Sequence, residues 1–114
     1  MNWKEINEKY PKAFLEWVKN QNESEISNIH YFLADNACLV NNGRITFDSS
    51  DLIHLPYYFD TLGIEIESSK YSCRVTDRTL QNKYFLGYKD GRLSATIAGA
   101  EKAFEIRDAQ LNNN

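Results

Sequence analysis

His30, Cys38, His54 and Cys73 are the residues of this chain whose types suit metal or nucleophile chemistry. Imidazole and thiolate are the ligands a tetrahedral zinc ion accepts, and zinc motifs place them in pairs two to five apart so that one turn presents both. Here no two of the four are closer than eight positions. The spacing argues against a metal site, and nothing else in the chain calls for a cofactor. A Cys–His nucleophile pair is the other chemistry open to these residues, with Cys38 or Cys73 as thiolate, His54 as base and Asp51 or Asp60 orienting the imidazole. No nucleophile elbow, phosphate-cradling glycine loop or paired-acid motif accompanies them. Cys73 stands in an alternating stretch, where a thiol more often turns into a core. No catalytic residue is assigned, and a small enzyme ranks behind two binding functions.

The binding functions start from spacing. Asp51, His54, Tyr58 and Thr61 recur at three, four and three, which places them on one face of a helix. The opposite face carries Leu52, Leu55, Phe59 and Leu62 at the same spacing and is the side that packs. Tyrosine presents a large contact area at low entropic cost, so Asp51, His54, Tyr58 and Thr61 form the candidate binding surface for another protein. The alternative is a weak nucleic-acid binder that stacks bases on Tyr71, Tyr84, Phe85 and Tyr88 beside Arg74 and Lys83. Strand alternation puts Tyr84 and Tyr88 on the face opposite Phe85. The net charge of −3, from 13 basic against 16 acidic residues, also opposes phosphate binding. Lys70, Arg74, Arg78, Lys83, Lys89 and Arg92 are scattered and form no basic stripe.

The elements that must position these residues follow from hydrophobic period and turn chemistry. Trp3, Ile6 and Tyr10 predict an opening helix that breaks at Tyr10, because Pro11 cannot donate a backbone hydrogen bond and restricts the residue before it. A second helix starts at Pro11 and packs Phe14, Trp17 and Val18, with Lys12 and Glu16 as an i,i+4 pair. The aromatic set Trp3, Tyr10 and Trp17 reads as core, with a dimer seam as its functional alternative. Ser24 caps a third helix through Ile26, Ile29 and Leu33. Asn42-Gly43 is a tight-turn signal that makes a hairpin of 37–40 and 44–47.

Pro56 falls inside the central helical stripe, where it would cost about 3 kcal/mol. The sequence therefore predicts a capped turn after Asp48 and a main helix only from Leu55 to Leu62, closed by Gly63. Ile64-Glu65-Ile66-Glu67 switches to a period of two, and Tyr71, Cys73 and Val75 alternate in a second strand. Residues 83–88 and 92–96 flank Asp90-Gly91 as another predicted hairpin, with Thr96 capping a last helix through Ile97, Ala100, Phe104 and Leu111. Residues 112–114 read as a frayed tail.

These elements describe one α+β domain over 1–114, an antiparallel sheet built from hairpins with helices packed on one face. A chain of 114 residues, 42% hydrophobic and 13% aromatic, has enough apolar surface for a core without metal or disulfide staples. The charged start and the want of a long apolar run imply no membrane segment and a cytoplasmic, reduced protein with both cysteines as thiols.

Two patches and the opening also carry a resemblance. LPYYFDTLGIEI (55–66) resembles the aromatic-rich segment of short uncharacterised proteins from phage and prophage regions of gut bacteria. AEKAFEI (100–106) is similar to the last helix of that group, and Asn2-Trp3-Lys4 with Tyr10-Pro11-Lys12-Ala13 is similar to its start. Pro56 and the stretch before the last helix depart from its pattern. The resemblance implies an accessory protein of a mobile element and transfers no activity, cofactor or catalytic residue. The sequence thus predicts a non-catalytic, protein-binding accessory or regulatory protein, whose partner is another protein or a second copy of itself.

Overall fold

In a computed structural model, the described residues are 3–22, 37–40, 43–46, 49–87 and 90–113. At the N-terminus the proline acts as the sequence predicts. Helix α1 (Trp3–Lys9) ends before Tyr10, and α2 (Pro11–Asn22) starts on the proline. The ladder continues on both sides of the break, with the Tyr10 amide donating to Ile6 O at 2.8 Å and the Phe14 amide to Tyr10 O at 2.9 Å. Between them the Lys12 and Ala13 amides donate to Asp108 Oδ1, at 2.9 and 3.0 Å, from the far end of the chain. Trp3 and Trp17 stack with ring centroids 4.8 Å apart and planes 9° from parallel. Both rings are buried within one chain, and Tyr10 packs half-buried against the same core.

The helix predicted after Ser24 lies outside the described residues. Strands β1 (Ala37–Val40) and β2 (Gly43–Thr46) form the expected antiparallel hairpin. The register pairs Val40 with Gly43, so Gly43 opens the second strand instead of occupying the turn.

The central segment corrects the sequence reading. Helix α3 is continuous from Ser49 to Thr61 with Pro56 inside it. The reason lies in Leu52, 5% exposed, which joins Leu55 and Phe59 on the buried stripe only if the turn before the proline is helical. Burying a leucine contributes about 1.5–3 kcal/mol, which offsets most of the proline penalty. Pro56→Ala is expected to raise stability by about 1–2 kcal/mol, the propensity gain less what proline's restriction of the unfolded chain contributes. Urea denaturation checks this; a lower midpoint would show that the ring packs better than a restored hydrogen bond.

Two i→i+3 bonds tighten the end of α3, from the Leu62 amide to Phe59 O at 2.9 Å and from the Gly63 amide to Asp60 O at 3.1 Å. Gly63, at φ +79°, then turns the chain into the sheet, as expected. Strands β3 (Ile64–Ser68), β4 (Cys73–Asp77) and β5 (Asn82–Leu86) form an antiparallel meander in that order. Ile64, Cys73 and Val75 are buried beneath the helices, with Ile66, Tyr84 and Leu86 half-buried beside them. The buried Asp77 carboxylate shapes the β4–β5 turn by accepting the Thr79 amide at 3.0 Å.

The predicted strand at 92–96 is helical. Helix α4 runs from Arg92 to Asn112, preceded by Gly91 at φ +135°. Asp90-Gly91 is therefore a strand-to-helix junction and makes no hairpin. Thr96 is not a cap; its hydroxyl bonds back to Arg92 O at 2.8 Å and reaches Ser68 Oγ at 3.0 Å. Ala95, Gly99 and Ala103, at spacing four, are buried and let α4 lie close on the sheet. Asn112 belongs to the helix, with the Asn113 amide closing on Ala109 O at 3.2 Å.

Phe104, fully buried, packs edge-on to Trp17 at 6.0 Å and to Phe59 at 4.9 Å, joining α2, α3 and α4. The result is the predicted α+β arrangement, an antiparallel sheet with helices on one face. Its radius of gyration is 14.0 Å, against about 13 Å expected for a compact chain of 114 residues. Among the described residues no helix is long and apolar enough to cross a membrane.

Candidate binding face

The stripe that buries Leu52, Leu55 and Phe59 fixes the rotation of α3 and so decides which residues face solvent. His54 and Thr61 are exposed, as the spacing predicts. The side chain of Asp51 lies outside the described set. Tyr58 turns inward. Its hydroxyl donates to Glu16 Oε1 at 3.3 Å, and its ring packs against Phe59. Burial, and then the charge of Glu16, raise the Tyr58 phenol above the ordinary tyrosine range. Glu16 in turn accepts a two-pronged grip from Arg107, Nε to Oε1 at 2.7 Å and Nη2 to Oε2 at 2.8 Å. That hydrogen bonding also raises the Arg107 pKa. The predicted Lys12–Glu16 pair gives way to this one, because a planar fork matches a carboxylate better than an ammonium does.

The aromatic ring that α3 offers to solvent is Tyr57, 73% exposed. It stands three residues after His54 and four before Thr61, a spacing as helical as the one that included Tyr58. The signal is present in the sequence: at about 100° per residue Tyr57 lies opposite the stripe of Leu52, Leu55 and Phe59, while Tyr58 lies on its flank, from which its hydroxyl reaches Glu16.

The C-terminal end of the face is clamped. Arg78, in the β4–β5 turn, donates Nη2 to Asp60 O at 2.6 Å and pairs with Asp60 Oδ1 at 3.1 Å. The Thr61 hydroxyl donates to Tyr58 O at 2.6 Å. A helix fixed by its stripe on one side and by Arg78 at its end holds Tyr57 without loop motion, which lowers the entropic cost of any contact it makes.

Among the described residues the structure does not bring Cys73 and His54 together. Cys73 is buried, with Ser68 Oγ at 3.7 Å and Arg74 O at 3.9 Å as its partners, while His54 is exposed on α3. Burial raises the Cys73 thiol pKa, lowering the thiolate fraction at neutral pH. Cys38 lies on β1 with its side chain outside the described set, and His30 lies outside it altogether. Among the described residues no three His, Cys, Asp or Glu side chains gather as a metal site requires. In a Cys38→Ser background, Cys73 is expected to react with a thiol reagent only as fast as the protein opens; reaction at the rate of a free thiol would contradict its burial.

The residues of the nucleic-acid reading divide as alternation predicts. Tyr84 faces the helical layer, with Lys102 Nζ 4.3 Å from its ring centroid. Phe85, 75% exposed, stands on the outer sheet face in register with Arg74 and Glu67. Lys83 shares that face opposite Thr76 and Glu65. Arg74 is paired with Glu67, so the face is nearly balanced in charge. Tyr71 lies in the β3–β4 turn and Tyr88 outside the described residues. Comparison with protein-family models, with curated proteins and with solved structures finds no match to this chain.

Proposed function

We propose that this chain is a non-catalytic accessory or regulatory protein, of the mobile-element kind its sequence patches resemble, and that it binds another protein through the outer face of α3. The observation that carries this reading is Tyr57, 73% exposed between His54 and Thr61 on a helix clamped at its end. A tyrosine presented by a helix between an imidazole and a hydroxyl has the composition of an interface anchor. Tyr58, proposed from spacing, serves instead as an internal strut.

The test compares proteins captured from the native host by the wild type, by Tyr57→Ala and by Phe85→Ala. A partner lost from the Tyr57 variant and retained by the Phe85 variant supports the α3 face. The reverse result moves the site to the sheet.

A second reading has one observation in its favour, the shared outer face of Phe85, Arg74 and Lys83. Such a surface would bind single-stranded nucleic acid by stacking and weak charge contacts. Pairing of Arg74 with Glu67 removes much of that charge. The expected result is no retardation of a single-stranded oligonucleotide at low salt. A shift that disappears as salt rises would establish the nucleic-acid function.

A further inference from the structure

Leu15 on α2 and Leu111 on α4 are half-buried and floor an open groove of about 370 Å³, whose other walls are Lys12, Glu16 and Lys19. The charges around that floor are unequal. Glu16 is neutralised by the two-pronged grip of Arg107. Lys12 and Lys19 are exposed and enter no ion pair among the described residues. An acidic protein of net charge −3 thus keeps an apolar groove with a cationic rim. The two lysines are seven residues apart, which is about 10.5 Å along the helix axis, or two turns. Asp108 ties the start of α2 to α4 by two hydrogen bonds, so the walls are held in place.

We infer that this groove docks an acidic amphipathic helix of another protein, with carboxylates two turns apart meeting Lys12 and Lys19 and an apolar side chain set between Leu15 and Leu111. This is helix-in-groove recognition, with apolar contact supplying affinity and the rim charges setting register and partner choice. It is independent of the α3 face and of Tyr57.

The probe is a synthetic helical peptide of about four turns, with two glutamates seven residues apart and leucines between them on the same side. A second peptide carries lysines in place of the glutamates. Titration calorimetry is expected to show binding of the glutamate peptide alone. Lys12→Glu/Lys19→Glu should weaken it at least about tenfold, because two attractive contacts become repulsive. That charge-reversed protein should gain affinity for the lysine peptide. Tyr57→Ala should bind as the wild type does, so failure here and failure of the α3 reading are separable. Both lysines are exposed, and circular dichroism checks that the variant is folded. No binding of the glutamate peptide, or equal binding by both proteins, overturns the inference. So does self-association of the peptide-free protein that the charge reversal abolishes, since the groove would then be an interface between two copies.

Discussion

Asp108→Ala is expected to destabilise the protein by about 2–4 kcal/mol, from two backbone donors left without a partner and a lost anion at a helix start. Pro11 and Tyr10 create the need for this carboxylate. Proline has no amide hydrogen, and the tyrosine side chain cannot cap the two amides that follow. Asp108, 6% exposed, supplies the cap from α4, accepting Lys12 N and Ala13 N on Oδ1 while Oδ2 accepts from Asn112 Nδ2 at 3.0 Å. Asp108→Asn keeps an oxygen acceptor and gives up the charge, so its cost should be nearer about 1 kcal/mol. Urea denaturation measures both, and hydrogen exchange reads the location. The amides of Lys12 and Ala13 should lose protection in the alanine variant ahead of the strand amides of β4. Equal costs for both substitutions would mean that charge alone matters at this position.

Gly99→Ala is the second large effect. A Cβ on Gly99 would stand 2.4 Å from Cys73 Sγ and 3.0 Å from Ile66 Cγ2. Neither neighbour is the loose end of a surface side chain; Cys73 is buried and Ile66 packs against the core. Overpacking of this kind costs about 1–3 kcal/mol, reduced by the roughly 1 kcal/mol that alanine gains over glycine in a helix. Pairing the substitution with Cys73→Ala removes the thiol from the contact. The double variant should be more stable than the sum of the two single losses, with a coupling of about 1–2 kcal/mol. Additive losses would show that α4 shifts away from the sheet as a unit without pressing on the thiol.

These two residues mark what could be read from the sequence and what could not. Trp3, Ile6, Phe14, Trp17, Leu52, Leu55 and Phe59 declared their helical faces by spacing, and all are buried. The strands β3 and β4 declared theirs by alternation, because the period of two survives wherever one face meets a core. Pro11 and Gly63 act locally, so their effects are legible in the sequence. At Pro56 local propensity argues for a break, and the burial of Leu52 overrides it. The start of α4 is hidden in the sequence because Asp90-Gly91 mimics a hairpin signal. Ala95, Gly99 and Ala103 formed a small-residue row at spacing four that pointed to helix.

The polar contacts could not be read at all. Glu16 with Arg107 and Asp108 with Ala13 join residues more than ninety positions apart. Their side chains carry no periodic signature, so only the folded backbone reveals them. The candidate face shows the same division. The exposure of His54, Thr61 and Tyr57 follows from the helical phase of the buried stripe, whereas the bond of Tyr58 to Glu16 is long-range.

The most direct test of the functional claim is a binding measurement with the partner recovered from the native host, titrated against the wild type, Tyr57→Ala and Tyr58→Phe. Tyr57→Ala should lose at least about 2 kcal/mol of binding, the size expected of an interface anchor. Tyr58→Phe, which removes only the hydroxyl bonded to Glu16, should bind as the wild type does. Unchanged affinity in Tyr57→Ala would contradict the assignment of the α3 face.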